Sequence, residues 1–119
     1  MAVSSPRFQQ LSLDGPRHVV AAEGELDLNT APDLAAALDE AIASGKTQVV
    51  LDMSGVSFVD STVAHVLAGG ARELRQRLGK LVIVCVDPNV QRLLELMRLD
   101  LIAPVYDSRE AALRSLLDE

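Results

Sequence analysis

The chain has 119 residues, of which 49% are hydrophobic and only 3% aromatic. This length fits one domain, and the hydrophobic content argues against disorder. The formal net charge of −6, without any basic cluster, disfavours nucleic acid and anionic membranes as partners. Because the sequence shows neither a membrane span nor a signal-peptide pattern, we expect a cytoplasmic protein that does not insert into membranes.

The beginning of the chain predicts a β-hairpin. We expect residues 1–7 to be a flexible N-terminus and residues 8–119 to form the domain. Apolar residues between positions 8 and 13 lead to the turn signal Asp14-Gly15-Pro16, and a second apolar run follows at residues 18–22. Two such segments around a turn signal are typical of paired strands.

The middle of the chain predicts two helices separated by a strand. Asn29 or Thr30 can cap the first helix, and Gly45 ends it. Residues 48–53 form an apolar run typical of a strand covered on both faces, and residues 54–59 are predicted to be a short loop. The second helix follows and should run to about Leu78. Its predicted apolar face consists of Val63, Val66, Leu67, Gly70, Leu74 and Leu78.

The last third of the chain continues the alternation. It predicts a strand at residues 81–86, a helix capped in the segment Asp87-Pro88-Asn89, a short strand at residues 103–106 and a final helix. The complete order is ββαβαβαβα. Strands that alternate with helices define an α/β domain, here with a small mixed β-sheet of about five strands and about four helices.

No arrangement of residues indicates catalysis. His18 and His65 have no partner at metal-ligand spacing, and both glycine-rich phosphate-binding motifs are absent. Ser61, His65 and Asp60 can be written as a triad, but no G-x-S-x-G elbow surrounds the serine. The single cysteine, Cys85, lies in an apolar run and is expected to be buried, whereas a redox role would need an exposed sulfur. We therefore predict no catalytic residue, no metal and no cofactor.

The segment Asp60-Ser61-Thr62 follows the third predicted strand and begins the second helix. The start of a helix offers free N–H groups and the positive end of the helix dipole, so a phosphate on Ser61 would be tolerated there. Asp60 is adjacent, and Asp27 comes from the loop after an earlier strand. Added phosphate charge beside these carboxylates would change the local field and repel a partner. The alternative interpretation is an ordinary helix N-cap.

Three motifs, in this order, together resemble one family. They are Gly24-Glu25-Leu26-Asp27, the segment VLDMSGVSFVDS at residues 50–61, and the strand at residues 81–84 followed by Pro88-x-x-x-Arg92-Leu93-Leu94. This combination resembles the STAS domain of bacterial anti-sigma factor antagonists over about residues 8–117. The resemblance implies a small β-sheet with helices packed on it and a role in partner switching.

The resemblance also implies a mechanism. The unphosphorylated antagonist would bind an anti-sigma factor that is also a serine kinase, and the sigma factor would be released. The kinase, using ATP and magnesium, would phosphorylate Ser61, with Thr62 as the alternative acceptor, and a serine phosphatase would reset the cycle. The implied partner-binding residues are Asp27, Asp60, Ser61, Thr62 and Val63. The chain would be a substrate and not itself an enzyme.

One departure from the family pattern keeps alternatives open. Val63-Ala64 stands where the family usually has glycine and an aliphatic residue, and stiff valine predicts a bulkier first helical turn. This form also resembles STAS domains of stressosome scaffold proteins, so a structural subunit of a stressosome-like or lipid-transport complex is the alternative function. A nucleotide-binding module with phosphate near Ser61 is a third hypothesis, disfavoured by the lack of basic residues there. The oligomeric state stays open.

Overall fold

The computed structural model describes residues 7–117. In this part of the chain, four α-helices pack on a single five-stranded sheet. The observed order of strands and α-helices, ββαβαβαβα, confirms the predicted α/β class. Residues 1–6 of the predicted N-terminal segment lie outside the described residues, and Arg7 begins the first strand. The elements are β1 (Arg7–Ser12), β2 (Arg17–Leu26), α1 (Ala31–Ala43), β3 (Gln48–Val59), α2 (Ser61–Gln76), β4 (Lys80–Val84), α3 (Pro88–Leu96), a 3₁₀ turn (Leu99–Leu101), β5 (Val105–Tyr106) and α4 (Arg109–Leu117).

The strands lie in the sheet in chain order. β1 and β2 form the predicted antiparallel hairpin, and β2, β3, β4 and β5 are mutually parallel. Gly15 adopts a φ of +67° in the hairpin turn, a conformation that glycine reaches without strain. Lys46 fixes this turn, because its Nζ donates to the carbonyls of Leu13 at 2.6 Å and Gly15 at 2.7 Å.

Both faces of the sheet are covered, but unequally. The first three helices pack on one face and build the larger core, in which the aliphatic residues of the central strands meet the apolar stripes of α1, α2 and α3. The last helix covers part of the second face, where Ala112 and Leu116 pack on valines of β2, β3 and β4. Among residues 7–117, no helix has both the length and the apolar composition that crossing a membrane requires.

The third strand is longer than predicted. Residues 54–59 continue β3 to Val59 and pair with the end of β2, with Gly24 opposite Val56 and Leu26 opposite Val59. The loop prediction was wrong because this pairing satisfies the backbone and buries Val56 and Val59, although the two residues between them are exposed. Pairing between β3 and β4 ends at Asp52, so the end of the β2–β3 pair projects beyond the rest of the sheet.

The end of the second helix also differs from the prediction. α2 ends at Gln76, and Leu78, predicted to be on its buried face, is 97% exposed. Leu78 has a φ of +60°, and the next N–H, of Gly79, donates to the carbonyl of Leu74 at 2.7 Å. This left-handed turn stops the helix before its apolar stripe can include Leu78.

Candidate functional site at the start of the second helix

Asp60 is the N-cap of α2 and organises the site through both carboxylate oxygens. Its Oδ1 accepts hydrogen bonds from the Thr62 hydroxyl and from the Thr62 N–H, the latter at 2.9 Å. Its Oδ2 accepts from the N–H of Leu28 at 3.0 Å. The hydrogen bond from the Thr62 hydroxyl, with further bonds from backbone N–H groups, holds the pKa of Asp60 below its usual value. The carboxylate is therefore ionised at neutral pH.

Ser61 and Thr62 differ in what their hydroxyl groups do. Ser61 is exposed, and its hydroxyl makes no hydrogen bond with any residue from 7 to 117. Thr62 is half-buried, and its hydroxyl donates to Asp60. The two adjacent residues thus present one available hydroxyl and one that is already bonded.

Asp27 lies in the loop between β2 and α1 and shapes that loop. Its Oδ1 accepts from the N–H groups of Asn29 at 3.0 Å and Thr30 at 3.2 Å. Thr30 occupies the N-cap position of α1, as the sequence allowed, but its side chain makes no capping bond to the helix. The loop reaches the start of α2 through the next residue, Leu28, whose N–H bonds to Asp60. The structure therefore brings the Asp27 loop and Asp60 together.

Val63 does not lie on the surface of the site. Its side chain is 0% exposed and belongs to the larger core. The sequence predicted that valine at this position makes the first helical turn bulkier, and Val63 was among the implied partner-binding residues. That expectation is corrected here, since the extra bulk points inward, and the Val63 side chain cannot form part of a partner-binding surface in this conformation.

Two exposed apolar side chains lie on the segments that join Asp60, and neither was predicted from the sequence. Leu28 is 67% exposed, and Phe58, two residues before Asp60, is 42% exposed. A large apolar residue inside a predicted loop was the available signal in both cases. Phe58 is exposed because it lies on the projecting end of β3, beyond the last residue that pairs with β4.

The two histidines differ in burial and in their neighbours. His18 is buried beneath α1, where its Nε2 lies 2.6 Å from Oε1 of Gln10. His65 is exposed and lines a shallow groove of about 280 Å³ between α1 and α2, together with Asp39 and Glu73. Among residues 7–117, no three or more His, Cys, Asp or Glu side chains are grouped so that they could hold a metal ion.

The sheet and its helices have the architecture of a STAS domain. A family model described as the STAS domain matches residues 10–112, and the chain belongs to that family. Within the family it belongs with the anti-sigma factor antagonists. The family is one of regulatory domains and not a known class of enzyme.

The individual relatives support this placement. An anti-sigma F factor antagonist of Paenibacillus polymyxa is 33% identical over 82% of this chain and 85% of its own length. The crystal structure of an anti-sigma factor antagonist from Mycobacterium paratuberculosis superposes with a TM-score of 0.84 at 31% identity, covering 93% of each chain. The anti-sigma factor antagonist SpoIIAA in its unphosphorylated form shares the fold, with a TM-score of 0.69 at 21% identity over 94% of this chain and 98% of its own.

Proposed function

We propose that this antagonist binds an anti-sigma factor that is a serine kinase, that binding releases a sigma factor, and that phosphorylation of Ser61 ends the interaction. The observation that carries the proposal is the exposed, unbonded hydroxyl of Ser61 at the start of α2. The antagonist names of the relatives supply the partner class. In this cycle, a serine phosphatase would restore the unphosphorylated protein.

The difference between the two hydroxyl groups favours Ser61 over Thr62 as the acceptor. In phosphoryl transfer, the acceptor hydroxyl must reach the γ-phosphate and give its proton to a base of the kinase. Thr62 would first have to break its hydrogen bond to Asp60 and leave a half-buried position. Ser61 needs neither step, since it is exposed.

Phosphate on Ser61 would change the charge of the site without unfolding it. Phosphoserine carries roughly −1.5 to −2 charges at neutral pH, beside the ionised carboxylate of Asp60. The added charge and bulk at the helix start would then oppose a partner whose surface fits the neutral serine. The N-terminus of α2 tolerates the phosphate because the positive end of the helix dipole favours negative charge there.

The surface around Ser61 suits a protein partner. Leu28, whose N–H bonds to Asp60, and Phe58, at the end of β3, offer exposed apolar area. Apolar or aromatic anchors that become buried usually dominate binding energy at interfaces. Asp27, Asp60 and Thr62 would act mainly by holding the loop and the helix start in place, since their polar atoms are bonded to neighbouring residues.

Phosphorylation of purified protein tests the proposal directly. Candidate anti-sigma kinases from the same genome are incubated with the protein, ATP and magnesium, and the intact mass is measured. We expect the gain of one phosphate in the wild type and in Thr62→Val, and none in Ser61→Ala. No gain with any candidate kinase would contradict the proposal, and a very large assembly in size-exclusion chromatography would then favour the scaffold alternative.

Binding to the same kinase without ATP tests the switch itself. Ser61→Ala should bind as tightly as the wild type, whereas Ser61→Asp should bind at least tenfold more weakly. Ser12→Asp, which adds the same charge at an exposed position on β1, is the matched control and should bind normally. Equal affinities of the two aspartate variants would contradict a switch at Ser61.

A further inference from the structure

A polar groove of about 470 Å³ lies on the second face of the sheet, beside the start of α4. It is separated from the start of α2 by the sheet, because α2 packs on the opposite face. Three strands and one helix contribute to its walls. Among its lining residues are Arg7, Glu23, Asp52, Ser54, Gly55 and Arg109.

A buried carboxylate holds an arginine at this groove. Asp52 interrupts the apolar run of β3, and its side chain is only 8% exposed. Its Oδ1 accepts from the N–H and the hydroxyl of Ser54, at 2.9 and 2.6 Å. Its Oδ2 accepts from Nε of Arg109 at 2.8 Å. Burial of a charge is costly unless it is paired and hydrogen-bonded, so these three bonds explain how the sheet tolerates Asp52.

The orientation of Arg109 leaves its donor fork available. The guanidinium uses Nε for Asp52, while Nη1 and Nη2 donate no hydrogen bond to any residue from 7 to 117. The side chain is 43% exposed and lines the groove. An arginine whose Nε is anchored and whose two terminal nitrogens are free presents the parallel N–H pair that binds a carboxylate or phosphate in a bidentate manner.

A second arginine lines the same groove in a similar state. Nε of Arg7 lies 2.6 Å from Oε1 of Glu23, its partner in the β1–β2 register. Opposite Glu23 in β3 is Gly55, where a Cβ atom would come within 2.7 Å of the Glu23 Cβ. Glycine at this position therefore keeps the floor of the groove open beside the ion pair.

We propose that this groove binds a small organic oxyanion, a carboxylate or a phosphate ester, through the terminal nitrogens of Arg109. Asp52 acts as the positioning residue for that arginine, and Arg7 contributes a second cation. The two arginines and the two acidic residues balance in charge, so affinity comes from directed hydrogen bonds and not from net attraction. Binding is accordingly weak and selective for planar or tetrahedral oxyanions over chloride.

Heteronuclear NMR titration of the full chain with sodium phosphate and, separately, sodium succinate tests the proposal. Sodium chloride keeps the ionic strength constant and serves as the anion control. We expect saturable amide shifts confined to the ends of β1 and β2, to Ser54 and Gly55, and to the first turn of α4. Saturation by phosphate, by succinate or by both supports the oxyanion site. The probe that saturates shows whether the site takes a phosphate group, a carboxylate group or either.

Variants decide whether Arg109 carries the binding. Arg109→Lys keeps a cation for Asp52 but lacks the fork, and Arg109→Ala lacks both, so each should weaken binding at least tenfold. Arg72→Ala, which removes an exposed arginine from α2, is the matched control and should leave the titration unchanged. If Arg109→Ala proves unstable, the titration of folded Arg109→Lys shows whether the terminal nitrogens of Arg109 bind the anion. Three outcomes would mean an adventitious ion only and would overturn the proposal. They are amide shifts that persist in Arg109→Lys, amide shifts that spread over the whole surface, and amide shifts equal to those produced by chloride.

Discussion

Oδ2 of Asp60 and the N–H of Leu28 form a hydrogen bond of 3.0 Å between residues 32 positions apart in the chain. The other oxygen of the same carboxylate caps α2. One side chain therefore fixes both the start of the helix that presents Ser61 and the loop that presents an exposed leucine. The geometry of the proposed switch depends on this carboxylate more than on any other side chain nearby.

Substitution of Asp60 should separate its two roles. Asp60→Ala removes both acceptors, so the urea midpoint of unfolding should fall and amide hydrogen exchange should quicken at Leu28 and Thr62. In Asp60→Asn, the amide oxygen can still cap Thr62, but its NH₂ cannot accept from Leu28. Exchange should therefore quicken at Leu28 alone. Unchanged exchange at Leu28 in both variants would contradict the hydrogen bond.

The buried His18 should make stability depend on pH. The side-chain amide of Gln10 donates to the carbonyl of Ala37, which leaves Oε1 of Gln10 to face His18 as an acceptor. The proton of the neutral imidazole is therefore on Nε2 of His18. Nδ1 of His18 is then a buried acceptor without a partner among the described residues. Burial lowers the pKa of His18 below its usual value of 6.5, and the positive charge of Lys46 lowers it further. The negative charge of Glu40 raises this pKa, but by less. The unfolded chain then binds more protons, and stability is lost as pH falls below 6.5.

Urea unfolding at pH 7.5 and at pH 5.5 measures this effect. The wild type should have a lower midpoint at the acidic pH, and His18→Gln should show a smaller difference between the two conditions, whatever its absolute stability. His65→Gln, at an exposed histidine, is the control and should behave like the wild type. An equal pH dependence in His18→Gln would exclude this histidine as the cause.

Two glycines should respond oppositely to alanine. A Cβ on Gly79 would lie 2.1 Å from the carbonyl oxygen of Thr47, so Gly79→Ala forces the backbone to move and should lower the free energy of unfolding by about 1–3 kcal/mol. Gly69 is inside α2, and a Cβ there meets no atom within 4 Å. Gly69→Ala should therefore raise stability by about 0.8–1 kcal/mol through helix propensity. Denaturant unfolding of both variants provides the comparison.

Cys85 should be unreactive in the folded protein. It is fully buried directly after the last residue of β4, and burial raises the pKa of its thiol to about 11. Because the thiolate is the reactive form, a thiol reagent at pH 8 should label the native protein slowly and the urea-unfolded protein rapidly. Fast labelling of the native protein would revive a redox role for this residue.

Val63 should matter for stability and not for phosphorylation. Val63→Ala removes two methyl groups from the core and should lower the free energy of unfolding by about 2–3 kcal/mol. Since the side chain points inward, the rate of Ser61 phosphorylation should stay within about twofold of the wild type under conditions where the variant is folded. A large change in that rate, without unfolding, would show that the residue acts at the surface after all.

Most of the fold could be predicted from the sequence because its signals are local. Apolar periodicity, the Asp14-Gly15-Pro16 turn and capping residues mark the hairpin and the alternation of strands and helices. The end of β3 could not be predicted, because Ser54 and Gly55 have loop-like composition and become strand only by pairing with β2. Leu78 was misplaced for a related reason, since periodicity does not show where a left-handed residue stops the helix.

The site was only partly predictable. The motif and the resemblance single out Asp60, Ser61 and Thr62, and the structure places them together at the start of α2. The inward direction of Val63 and the exposure of Phe58 depend on how α2 packs and on how far β3 projects. Asp52 and Arg109 are 57 positions apart, so no local pattern in the sequence could have joined them.

The first turn of α2 places two residues that are only two positions apart in opposite environments. Ser61 faces solvent and Val63 faces the core, although only Thr62 separates them. A substitution at position 61 therefore changes the solvent-facing surface of the helix start, whereas a substitution at position 63 changes how α2 packs on the sheet. The chemistry of the surface and the packing of the interior can accordingly be varied independently within one helical turn.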